Sequence, residues 1–218
     1  MCGRFALTLP HEAVAGRFAA RPDGPMPPSP RYNICPTQPI LTVRATPEGR
    51  VLAPMRWGFI PPWAKRVGDG PLLINARAET IAEKPAFREA CRARRCLIPA
   101  SGFYEWQAAP DGGKDPWWAE ADGVVAFAGV WSLWSGPEGP VASAAIVTCA
   151  ANAPLSAVHH RMPVAIAPED YALWLGEAGK GAAALMRPAP DALFGLRRVS
   201  RAVNAARHDS PDLLSAAP

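Results

Sequence analysis

No glycine-rich phosphate loop, no H-E-x-x-H and no G-x-S-x-G occurs in this chain, so the usual nucleotide-binding, zinc-protease and serine-hydrolase signatures are missing. No apolar run approaches membrane-spanning length, and Pro10, His11 and Glu12 break the stretch where a signal peptide needs continuous apolar residues. A cytoplasmic protein with no membrane partner is expected. The cysteines are Cys2, Cys35, Cys91, Cys96 and Cys149, an odd number without the spacing of a secreted disulfide framework, which fits a reducing compartment. Cys91 and Cys96 bracket Arg92, Arg94 and Arg95, which would repel a cation, and no Cys/His pair lies nearby in sequence. Neither a metal nor a cofactor is expected. Lysine is also scarce, with four Lys against nineteen Arg. Arginine grips phosphate in two-pronged fashion and stacks on bases, so the bias leans towards an anionic partner, although a GC-rich genome produces the same bias.

What is present is ordinary globular material: 218 residues, 49% hydrophobic and 19% charged, with a net charge of +4. That is enough for one domain with a substantial core. Twenty-six prolines and eighteen glycines are dispersed along the chain, which argues for many short elements and turns. β-rich runs recur at 40–45, 51–59, 72–76, 96–98, 102–106, 124–134 and 144–148, and helical patterns at 10–20, 79–95, 154–160 and 169–176. No βαβ alternation or internal repeat appears. The expected class is α+β, a single domain with a mainly antiparallel, curved or barrel-like sheet and flanking helices. The domain is expected over 1–214, with a loose tail at 215–218.

The start, Met1-Cys2-Gly3-Arg4-Phe5, holds the most distinctive chemistry. Removal of Met1 would leave Cys2 as a terminal 1,2-aminothiol, an amine of pKa about 7.7–8.0 beside a thiol near about 8.5. Such a group condenses with an aldehyde to an imine and closes to a thiazolidine. A chance cysteine in a frayed terminus is the plain alternative. In Gly102-Phe103-Tyr104-Glu105-Trp106 a carboxylate stands among aromatics, where desolvation would make it a proton donor; alternation equally allows it on the wet face of a sheet. The doublet His159-His160 precedes a β-like run at 164–167 and is either functional or a surface pair. Asn75 and Arg77 end a strand, as site groups or as turn chemistry. The segment 56–63, with Arg56, Trp57, Phe59 and Trp63, can stack on bases or simply fill the core.

Together these segments resemble the SOS-response-associated peptidase family, whose members sense abasic sites in single-stranded DNA. The matching pieces are 1–5, Arg31-Tyr32-Asn33-Ile34 with Pro36-Thr37, Arg56-Trp57-Gly58, 74–80, 95–100 with 102–106, His159 with Arg161-Met162-Pro163, and Val199-Ser200 with Val203-Asn204, in family order along the chain. The resemblance implies Cys2 as nucleophile, acting with Asn75, Glu105 and the His of H-x-R-M-P, which here is His159. His160 then occupies the variable position, where Asp, Glu or Asn is usual. The family's DNA contacts map onto Arg4, Asn33, Arg77, Trp106 and Arg161. The implied partner is single-stranded DNA carrying abasic sites, bound by a monomer and captured as a covalent thiazolidine. Two alternatives stand beside this: a cysteine-type peptidase that removes its own Met1, and a non-covalent single-strand-binding module.

Overall fold

The computed structural model describes residues 2–137 and 139–217. Met1, whose removal the aminothiol chemistry requires, and Pro218, the end of the expected loose tail, lie outside the described residues, as does Glu138. The strands are β1 (Phe5–Leu7), β2 (Ala20–Pro22), β3 (Arg31–Ile34), β4 (Pro39–Thr46), β5 (Gly49–Trp57), β6 (Asn75–Arg77), β7 (Arg95–Ala108), β8 (Lys114–Gly136), β9 (Gly139–Ala150), β10 (Arg161–Pro163), β11 (Ala165–Ile166) and β12 (Phe194–Arg198). Short helices α1 (His11–Arg17), α2 (Arg88–Ala93), α3 (Ala153–Ser156) and α4 (Tyr171–Leu175) flank them. This is the α+β class expected from the sequence.

The sheet runs β11-β8-β9-β5-β4-β7-β1-β3, and β7 also pairs with β8, so β8, β9, β5, β4 and β7 form a ring. The link between β4 and β7 is a single pair, Val43 with Leu97. Pairing is antiparallel except where β2 meets β5 and where β5 and β6 meet β9. Inside the ring, Phe127 meets Phe5 and Phe103 edge to face at 6.3 and 5.9 Å. Truncating any of these fully buried rings to Ala should cost about 3–5 kcal/mol.

Two features aim the sheet at one site. The register of β7 against β8 shifts between Ala100 and Gly102. At Gly102, φ is 159°, and a Cβ would meet the Ala119 carbonyl oxygen at 2.3 Å and the Trp118 ring at 2.6 Å, so only glycine fits. Beyond this bulge β7 leans on β1, with Phe103 opposite Phe5, and this brings Glu105 towards the N-terminus. Further along, Thr148 of β9 pairs with Arg77 of β6 and also with Pro163 of β10. Asn75 and the His159 turn thus reach the same end of β9 from its opposite edges.

The C-terminal segment is well anchored. Val199, Val203 and Leu213 join Ala6, Tyr104 and Trp118 in a second buried cluster on the outer face of β7. Ala216 bridges to Val199, and the Ala217 N–H donates to the Arg198 carbonyl at 2.9 Å.

Candidate active site

Alternation along β7 sends neighbouring side chains in opposite directions. Tyr104 enters the second cluster and Trp106 packs against it, whereas Glu105 turns the other way and is 3% exposed. Desolvation in that setting pushes the Glu105 carboxyl up to about 7. His159 approaches it from the turn between α3 and β10, with Nδ1 3.8 Å from Oε1 of Glu105. Burial also lowers the His159 pKa from its ordinary value. An ion pair shifts its carboxyl down and its imidazole up, whereas both groups move the other way here, with burial the largest cause of each shift. The turn itself is fixed by Asn152, which caps α3 by accepting from the Leu155 N–H, and by a 3.0 Å bond from the Arg161 N–H to His159 Nδ1.

Cys2 is fully buried beside this pair. Its thiol pKa is raised first by burial and then by the nearby charge of Glu105. Asn75, at the start of β6, donates from Nδ2 to the Cys2 carbonyl at 2.8 Å. The Asn75 Oδ1 is buried with no hydrogen-bond partner among the described residues. The structure therefore brings Cys2 together with Asn75, and Glu105 together with both Cys2 and His159. Cys149, in contrast, lies on β9 opposite Met162 of β10.

The residues expected to touch DNA divide into two kinds. Arg77 is exposed. Arg4 lies over the Trp106 ring, 5.7 Å from its centroid, while its Nη1 donates to Asn33 Oδ1 and the Val203 carbonyl, each at 2.7 Å. Trp106 donates from Nε1 to Asn204 Oδ1 at 2.8 Å. Asn33, by contrast, is 1% exposed. Its Nδ2 donates to the carbonyls of Val203, Ala205 and His208, and so knits the C-terminal segment to β3. Arg161 is likewise buried, forming a two-pronged pair with Glu79 at 2.7 and 2.9 Å and a bond to the Thr148 carbonyl at 2.7 Å. That pair also draws the Glu79 carboxyl below its usual range.

Sequence reasoning gave no role to Glu79, although it sits within the 74–80 segment, four residues after Asn75 and two after Arg77. Lys114, whose charge is felt by both Glu105 and His159, was also missed; it starts β8 and carries no local signal. Asp209 was missed as well: its Oδ1 accepts from the Asn33 N–H at 2.9 Å across a separation of 176 residues. Among the described residues no helix is long and apolar enough to cross a membrane, and no group of three or more His, Cys, Asp or Glu could hold a metal.

The fold matches a crystal structure of a protein from Bacteroides thetaiotaomicron with a TM-score of 0.89, covering all of both chains at 21% identity. A phage-related protein from Bordetella bronchiseptica matches with a TM-score of 0.73 at 31% identity, over 92% of this chain and 95% of that one. Among curated relatives, abasic site processing protein YoqW of Bacillus subtilis is 36% identical, covering 98% of this chain and 99% of its own length. Abasic site processing protein YedK of Escherichia coli is 32% identical over 98% and 99%, and HMCES of Gallus gallus 33% over 85% and 66%. The model of the SOS response associated peptidase (SRAP) family matches residues 1–206, and the chain belongs to that family.

Proposed function

We propose that this protein processes abasic sites in DNA, capturing the lesion in single-stranded DNA as a covalent adduct on Cys2 once Met1 has been removed. The observation that carries the reading is the convergence of Cys2, Asn75, Glu105 and His159 at one end of β9. These groups meet from separate parts of the sheet, and their protonation preferences suit aldehyde chemistry. The names of the relatives, abasic site processing proteins, give the same substrate.

An abasic deoxyribose is mostly a closed hemiacetal. Opening it needs a proton delivered to the ring oxygen and one removed from the anomeric hydroxyl. Glu105, with its carboxyl near neutrality, supplies the first, and neutral His159 accepts the second. The Cys2 amine then adds to the free aldehyde and loses water to form an imine. The thiol adds its sulfur to the imine carbon, its proton passes through the Glu105 carboxylate to nitrogen, and a thiazolidine results with a net loss of one water. The raised thiol pKa agrees with this order, because the amine must act first. Asn75 holds the Cys2 backbone by its carbonyl and offers Oδ1 to the amine or to an opened-sugar hydroxyl. Arg77 and Arg4 contact phosphates, and Trp106 supports a sugar or base beneath the Arg4 cation. Arg161 and Asn33 serve the DNA indirectly, through the His159 turn and the Arg4 side chain.

A thiolate-led peptidase fits less well, since burial and Glu105 both oppose thiolate formation at Cys2. Self-removal of Met1 keeps one favourable observation, the proximity of the Glu105 carboxyl to Cys2. Intact mass of a Glu105→Ala protein tests it: retention of Met1 supports self-processing, and its loss at the wild-type level removes it. The central reading is tested by the Cys2→Ala protein, which should bind abasic single-stranded DNA without forming a heat-stable adduct. An undiminished adduct would overturn it.

A further inference from the structure

His159 and His160 adjoin in the chain, yet their rings lie face to face, with centroids 4.4 Å apart and planes inclined by 28°. Adjacent side chains on a regular strand or helix point apart, so the stack exists only because the turn after α3 brings both rings to one side. His159 is partly buried and His160 is exposed.

The protonation site of His159 is constrained. Its Nδ1 lies 3.0 Å from the Arg161 amide nitrogen and 3.3 Å from the Arg161 carbonyl oxygen. The amide N–H is a donor at every pH, so the neutral ring accepts there and carries its proton on Nε2. A second proton would have to enter at Nδ1 at the expense of that bond. The other charges facing the ring are the Glu105 carboxyl from β7 and Lys114 from β8. The Arg161 guanidinium is turned away to Glu79.

We propose that His160 is a positioning residue for His159: its exposed ring, stacked on that of His159, takes the first proton of the pair and thereby keeps its neighbour in the neutral, Nε2–H form. Two imidazolium rings in face contact repel, so the pair titrates in two separated steps. The first step falls to His160, because burial already disfavours charge on His159. His159 then remains able to accept a proton from the sugar at pH values where an isolated imidazole would be charged. The catalytic consequence rests on the reading of His159 as part of the abasic-site machinery, whereas the pairing of the two rings does not.

The test is an NMR titration of the His159 ring in the wild-type, His160→Asn, His160→Phe and His160→Asp proteins, with His159→Gln used to assign the signal. The His159 midpoint should rise in the Asn and Phe variants and rise further in Asp. Below the midpoint the neutral fraction should fall by about threefold in the Asn and Phe variants, the scale of an exposed charge pair. Phe keeps a ring in the stack without a charge. A wild-type midpoint in His160→Phe would assign the effect to ring contact alone and overturn the proposal, as would midpoints unchanged in all variants. The acid limb of the crosslinking rate should move in the same direction as the midpoint. A wild-type protein that forms no adduct at any pH would remove the catalytic consequence, and the midpoints alone would then decide the pairing.

Discussion

Asn75 donates to the carbonyl of Cys2 across 2.8 Å, joining β6 to a residue 73 positions earlier in the chain. This bond holds the backbone of Cys2 and leaves the sulfur and nitrogen to react. Asn75→Ala should therefore slow adduct formation by about ten- to a hundredfold, the scale of a misplaced reacting group. The lost hydrogen bond should cost only about 1 kcal/mol of stability. Single-turnover crosslinking and thermal melting measure the two effects separately; a rate that falls only in proportion to lost folded protein would show that Asn75 is merely structural.

Glu105 gives a pH prediction with a definite sign. Its carboxyl is raised from 4.5 to about 7 in the folded state, so the folded protein binds more protons than the unfolded chain between these values. Stability from this group is present below pH 4.5 and is lost as pH rises through 7. The full swing is on the order of 3 kcal/mol. Glu105→Gln, which cannot ionise, should stabilise the protein at pH 8 much more than at pH 5, while slowing the adduct reaction. Equal melting shifts at both pH values would contradict a raised carboxyl.

Arg161 and Asn33 resemble DNA contacts in the sequence but are committed to the protein in the structure. Arg161→Ala removes the partner of the half-exposed Glu79 and a donor to the Thr148 carbonyl, and should cost about 1–3 kcal/mol. Asn33→Ala removes a donor shared by three carbonyls, leaving that of His208 without it, and takes one acceptor from Arg4, at a cost of about 1–3 kcal/mol. Chemical denaturation checks both values. Wild-type stability with lost DNA binding would instead return these residues to direct contact.

Salt separates phosphate contacts from the rest of the interface. If the two arginine–phosphate contacts of Arg4 and Arg77 form, noncovalent affinity for single-stranded DNA should fall about sevenfold between 50 and 200 mM salt. Arg77→Ala should flatten that slope, because its exposed guanidinium is not built into the protein core. An unchanged slope would remove Arg77 from the interface.

Much of the fold was legible because long β-runs carry their own pattern. The runs expected at 96–98 and 102–106 are one strand, β7, and the one at 124–134 lies in the second half of β8. The expected helices exist but are short: 79–95 reduces to α2 at Arg88–Ala93, since the preceding residues are spent on turns around Glu79 and Phe87. β1, β3 and β12 were missed because three to five residues offer too little periodicity, and they become strands only by pairing with distant partners. Within the site, the meeting of Cys2 with Asn75 and of Glu105 with His159 follows from strand pairing that no local pattern encodes. Family resemblance supplied those names. The burial of Asn33 and Arg161 escaped because their partners, Asp209 and Glu79, look like ordinary surface acids in the sequence.

The most direct test is to incubate purified protein with single-stranded DNA bearing one abasic site, then separate the products on a denaturing gel and weigh the shifted species. The account predicts the mass of the protein lacking Met1, plus the DNA, minus one water. An absence of any adduct, with Met1 confirmed absent and the DNA aldehyde intact, would contradict it.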